Sequence, residues 1–86
     1  MNFKMIVNTP NWTVQEQFEK VLEEVLELKE AIALNDNKKI MEEGLDVIQA
    51  ILTLFKVLKI NREIKNGLKL HNKKLRKRKW KLEKID

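Results

Sequence analysis

Two short acidic clusters lie on either side of a polar break, Glu23, Glu24 and Glu27 in EEVLE and Glu42, Glu43 and Asp46 in EEGLD. Carboxylates are hard oxygen donors, and several of them converging repel one another strongly unless a cation sits between them. An oxygen-only set suits Mg2+ or Mn2+ rather than zinc. The chain has no cysteine, which excludes a thiolate metal site and a disulfide framework alike. Whether the two clusters meet depends on the elements that carry them.

Those elements read as helices. "TVQE", Thr13 to Glu16, is a capping box, and Val14, Phe18, Val21, Leu22, Val25, Leu28 and Ile32 follow at helical spacing, which predicts a first helix over 13–34, roughly 30 Å long. Asn35 to Asn37 breaks it. Asp36 or Asn37 can cap a second helix over 37–59, whose apolar residues run almost all the way round, so most of its surface calls for a covering partner. A third helix is expected over 61–78, inside a strongly basic stretch, with Gly67 as a place for a kink or a break. The opening segment 1–12 has an apolar patch at Phe3, Met5, Ile6 and Val7 and a turn at Pro10.

On a helical wheel the carboxylates are not equivalent. In the first helix Glu23 points outward, Glu24 borders the apolar stripe about 100° from its centre, and Glu27 stands one turn above Glu24 on the same side. In the second helix Glu42, Asp46, Gln49, Thr53 and Lys56 form a narrow wet edge, whereas Glu43 falls among Val47, Ala50 and Leu54. A carboxylate in apolar surroundings costs several kcal/mol unless it is paired, protonated or bound to a cation, so Glu43 needs a partner. Two consecutive helices joined by a short turn form an antiparallel hairpin, and Glu24 and Glu27 then face Glu43 and Asp46. Glu-rich helix faces are usually only solvated; the core-facing Glu43 is what sets this pair apart.

A chain of 86 residues forms one domain at most, 1–86, and leaves much of its surface open unless it packs against another copy. The fold class is therefore all-α, a helix hairpin plus a basic C-terminal helix that builds a helical bundle by oligomerisation. The charge is split: residues 1–55 hold five lysines against ten acids, and residues 56–86 hold thirteen Lys or Arg against three. Such a division points to a bound anion or nucleic acid, or only to solubility. With no signal-peptide pattern and no apolar run of membrane-spanning length, a cytoplasmic location is the default expectation.

EEVLE at 23–27 followed by EGLD at 43–46 resembles the EExxE and ExxD pair of the MazG-like all-α nucleoside triphosphate pyrophosphohydrolases. The later HNKKLRKRKW, His71 to Trp80, is similar to the His-Asn-x-Lys-Leu-x-x-Arg-Gly-Trp ending of small bacterial and phage members, with Lys79 where the family has Gly. The resemblance spans residues 13–80. It implies a Mg2+-dependent enzyme, with Mn2+ as a substitute, that cuts between the α and β phosphates to give a nucleoside monophosphate and pyrophosphate. It also implies a homo-oligomer, dimer or tetramer, of the four-helix-bundle kind. Carried over by position, Glu24, Glu27, Glu43 and Asp46 become metal ligands and Glu23 an outer residue or the base that orients the attacking water. Lys74 and Arg78 become phosphate contacts, Arg78 through its planar fork, and Asn72, His71 and Trp80 further substrate contacts.

Plainer readings stand beside these. His71 lies on the Ile64, Leu68 and Leu75 stripe and reads first as a packed histidine; Trp12 and Trp80 read first as covers for helix ends; Gln17 and Asn72 carry little weight as substrate contacts. Two other functions compete with the enzyme. One is a helical dimer that binds nucleic acid through residues 65–81, although no recognised binding motif supports it and nucleic acid is not expected as a partner. The other is a catalytically silent structural or regulatory bundle in which Glu43 pairs with a lysine.

Overall fold

A computed structural model of the chain describes residues 4–5, 11–81 and 83. Phe3, Ile6, Val7 and Pro10 of the opening segment lie outside the described residues. The described chain is helical, with no strand: α1 (Val14–Ala33), α2 (Asn37–Val57), a 3-10 turn (Asn61–Glu63) and α3 (Ile64–Lys77). None of these helices is long and apolar enough to cross a membrane.

Local chemistry fixes the boundaries. Thr13 Oγ1 accepts from the Glu16 amide at 3.1 Å, and Glu16 Oε1 accepts from the Thr13 amide at 2.9 Å, so the capping box forms as expected. Asp36 caps α2, its Oδ1 accepting from the amides of Lys38 and Lys39 at 3.1 and 3.2 Å. Gly67 neither breaks nor kinks α3, which runs through it as continuous helix.

Each of the three helices is followed by a residue in the left-handed region: Asn35, Lys59 and Lys79, with φ of 56°, 63° and 65°. After α2 the amides of Lys59 and Ile60 return to the carbonyls of Lys56 and Phe55, and after α3 those of Lys79 and Trp80 return to Arg76 and Leu75. Both closures are Schellman motifs, which favour glycine at the left-handed position. Lys79, at the position where the resembled ending has Gly, stands in this glycine-favouring geometry. A lysine pays a steric cost there that glycine does not. Lys59→Gly is therefore expected to stabilise the fold by about 1 kcal/mol, less the extra unfolded-state entropy of glycine, raising the calorimetric melting temperature by about 4–8 °C per kcal/mol for a domain of this size.

α1 and α2 pack as an antiparallel hairpin. Gln17, early in α1, donates from Nε2 to the Ala50 carbonyl late in α2 at 2.9 Å, while its Oε1 accepts from Trp12 Nε1 at 2.9 Å. Gln17 is the most deeply buried large side chain, 2% exposed, and it staples the hairpin rather than reaching outward. The line of α1 against α2 is Gln17, Val21, Glu24 and Ala31, met by Glu43, Ala50 and Thr53. Thr53, expected on a wet edge, is buried because that edge turns into the seam near the end of α2.

The strongest apolar stripe of α1 is not in this seam. Val14, Phe18, Leu22 and Val25 remain 43%, 44%, 48% and 44% exposed, and Met41, Leu45 and Ile48 of α2 are exposed as well. α3 packs only on the 3-10 turn, with no residue within 8 Å, Cα to Cα, of α1 or α2. The accessible surface is 7714 Å² for a mass of 10.3 kDa. A compact monomer of that mass exposes about 5,400 Å².

Candidate metal centre

The hairpin register brings Glu24 and Glu27 of α1 opposite Glu43 of α2. One carboxylate oxygen from each lies within 4.8 Å of the other two. Glu24 and Glu43 are each 8% exposed and Glu27 is half-buried. Three of the four ligands expected from the sequence are therefore gathered, and the wheel position that set Glu43 apart is where its burial is found. Asp46, one turn further along α2, is exposed; with Glu24, Lys20, Gln17, Trp12 and Gln49 it lines a shallow cavity of about 180 Å³ beside the cluster.

Two lysines attend the cluster. Lys20 Nζ lies 3.1 Å from Glu24 Oε1 and 3.4 Å from Glu23 Oε1, and Lys39 Nζ lies 3.7 Å from Glu43 Oε1. The Lys20 ammonium is held above its ordinary pKa, first by its hydrogen bond to Glu24. The other oxygen of each buried glutamate, Glu24 Oε2 and Glu43 Oε2, has no hydrogen-bond partner. A buried anionic oxygen without a partner costs about 1–3 kcal/mol or more, so each glutamate is half neutralised and half bare. The set fits a hard divalent cation: all-oxygen donors, two of them lacking any other use, on two rigid helices. Neither lysine was singled out by sequence, although the i,i+3 and i,i+4 spacings Lys20–Glu23, Lys20–Glu24 and Lys39–Glu43 are what place them.

Crowding shows in Glu27, whose carboxyl is pushed above the ordinary carboxylate range, first by its hydrogen bond to Glu24 and the charge of Glu24, then by partial burial and by Glu43. Its folded value lies above its unfolded value, so the folded state keeps the proton longer as pH rises. The destabilisation from ionised Glu27 is therefore present above the raised folded value and is relieved as pH falls toward the ordinary range. Glu27→Gln is expected to melt higher than the parent at pH 7.5 without metal, with the gap closing as pH falls to 5. A constant gap in melts across that range would contradict the assignment.

The remaining expected site residues lie elsewhere. Glu23 is exposed beside Lys20. Lys74 and Arg78 are exposed, Asn72 and Trp80 line a small cavity with Leu75 and Arg76, and His71 lines an apolar groove of about 430 Å³ with Phe55, Ile60, Ile64 and Leu68. Trp80 is exposed, its backbone amide closing the α3 Schellman motif, and Trp12 sits at the start of α1 against Gln17. Within one chain, none of the α3 residues reaches the carboxylates.

Fold and site define an all-α hairpin protein with a three-glutamate cluster able to hold a metal ion. Neither family models, nor curated proteins, nor solved structures give a match to the chain.

Proposed function

We propose that this protein is a Mg2+-dependent nucleoside triphosphate pyrophosphohydrolase that works as a homo-oligomer. The observation that carries the reading is the pair of buried, unpartnered oxygens, Glu24 Oε2 and Glu43 Oε2, brought together with Glu27 across two helices. The resemblance of EEVLE, EGLD and HNKKLRKRKW to the MazG-like family supplies the substrate class.

Glu24, Glu27 and Glu43 hold the cation, and Asp46 joins from the cavity beside them. A bound divalent ion neutralises triphosphate charge and lowers the pKa of a coordinated water. The chain's own residues do the rest. Glu23, exposed next to Glu24, accepts the proton of the water that attacks the α phosphorus, and the bond from that phosphorus to the bridging oxygen breaks to release pyrophosphate. Lys20 and Lys39, about half exposed at their tips, balance the cluster's charge and can swing off Oε1 when a cation arrives. Lys74 and Arg78, remote from the cluster in their own chain, reach it from a second copy packed on the open stripes of the hairpin.

The silent-bundle reading has one observation in its favour, the Lys39–Glu43 pair at 3.7 Å. That distance is long for a strong ion pair and leaves Glu43 Oε2 bare. The deciding experiment incubates the protein with the common and several modified nucleoside triphosphates plus Mg2+ and measures pyrophosphate and monophosphate, beside a calorimetric Mg2+ titration. Release of both products in equal amounts is expected. No release from any triphosphate, with Mg2+ binding unchanged in Glu43→Gln, would sink the proposal.

A further inference from the structure

α3 has two faces, and only one of them belongs with the rest of the fold. Ile64, Leu68, His71 and Leu75 fall within about 60° of one another on the wheel, and the first three turn toward Phe55 and Ile60 across the apolar groove. The opposite face holds Lys65, Lys69, Lys73, Arg76 and Lys77 with Asn66 among them, flanked by Asn72 on one side and the exposed Leu70 on the other. Lys65, Lys69, Lys73 and Lys77 follow one another at four-residue intervals, about 6 Å apart.

This row is unlike an ordinary solvated helix face. Between Ile64 and Lys77 there is not one Asp or Glu, and among the described residues none of these five cations enters an ion pair. Like charges at i,i+4 destabilise a helix by about 0.2–0.5 kcal/mol each, and the row contains three such pairs in succession. Gly67 costs about 1 kcal/mol more. A helix of 14 residues is marginal in water on its own, and this one buries none of its residues and has no Cα within 8 Å of α1 or α2. Propensity, charge and tertiary burial all work against the element, and a polyanion along the row reverses the charge contribution.

The geometry points to a second activity: the basic face of α3 binds the phosphodiester backbone of nucleic acid, independently of base sequence. Regular cations along about 20 Å of helix match a regularly charged strand, and the Lys and Arg side chains of the row are donors only, suited to phosphate oxygens. A membrane surface fits worse, because an interfacial helix buries its apolar face in lipid, and here that face is turned toward Phe55 and Ile60. Lys74, expected at the substrate, lies off the row on the groove side, so the two activities use different cations. The sequence alone set nucleic acid aside for want of a motif; backbone binding of this kind requires none.

The test is fluorescence anisotropy of the full chain with a labelled 20-base-pair DNA duplex, the matching single strand and an RNA duplex, from 50 to 200 mM salt. Five phosphate contacts predict that duplex affinity falls about 500-fold over that range. Replacing Lys65, Lys69, Lys73 and Lys77 with Gln, which keeps helix propensity, should reduce the fall to about 3-fold and weaken binding more than about a hundredfold at 50 mM salt. Pyrophosphate release and far-UV helicity should stay at parental levels. Should the fourfold variant fail to fold, the single variants K69Q and K73Q must each lower the log–log salt slope by about 0.9. Three results would overturn the proposal: parental salt dependence in the variants, tighter binding to phosphatidylserine vesicles than to nucleic acid, or a changed oligomer mass with no nucleic acid binding.

Discussion

Glu43→Gln is expected to abolish the proposed Mg2+-dependent activity and, at the same time, to make the metal-free protein more stable. Loss of residues that merely orient metal ligands commonly costs 10–100-fold in affinity or activity, so removing a direct ligand should cost more than about a hundredfold. Stability should move the other way. Glu43 is buried on α2 with one oxygen bare, across the seam from Glu24 and Glu27. Gln keeps the shape, removes a negative charge from a crowded cluster, and offers an N–H donor to the carboxylates opposite. About 1–2 kcal/mol of stabilisation is reasonable for relieving one such group, and the melting temperature should rise by about 4–8 °C per kcal/mol. The opposed signs separate the two readings of the site. If Glu43 served only to pair with Lys39, the same substitution would lower the melting temperature and leave Mg2+ binding untouched.

What made this site legible in the sequence was a conflict between periodicity and chemistry. Capping boxes, breaks and apolar spacing were strong enough to place α1 and α2 to within a few residues, and a carboxylate at an apolar position of α2 then identified itself. Glu24 and Glu27 were readable for the same reason, since a hairpin of known direction fixes what lies opposite. Asp46 stands at the rim, exposed and lining the cavity beside Glu24, because a position one turn from Glu43 can face the seam or its rim, and a few degrees of helix rotation decide between them. Gln17 was undervalued: a polar residue on an apolar stripe looks like a surface residue until the carbonyl it reaches, Ala50, is known. The stripe of Val14, Phe18, Leu22 and Val25 is the most apolar face of α1, yet α2 packs along the neighbouring line of Gln17, Val21, Glu24 and Ala31. Hydrophobic periodicity reports that a face is to be covered, not by which element.

That open face leads to the second large effect. Substituting Phe18 and Leu22 together with Asp should convert the protein to a monomer and lower its melting temperature. Both residues sit mid-stripe on α1, still nearly half exposed after the hairpin has closed, and their counterparts Met41, Leu45 and Ile48 on α2 leave the same kind of surface open. In the proposed homo-oligomer, two copies joined through these stripes make four helices around a shared apolar core, with the carboxylate clusters at the seams of each hairpin. Each copy loses two apolar anchors worth about 1 kcal/mol apiece in remaining burial and gains two carboxylates that the interface cannot solvate. Across a symmetric pair the loss exceeds about 4 kcal/mol, a dissociation constant weakened about a thousandfold or more. Sedimentation velocity at micromolar concentration reads the mass directly. Pyrophosphate release should fall with it, because in the proposed assembly Lys74 and Arg78 approach the carboxylates from another chain. Full activity in a species proven monomeric would show that the site is complete within one hairpin, and a parental mass in the variant would place the interface elsewhere.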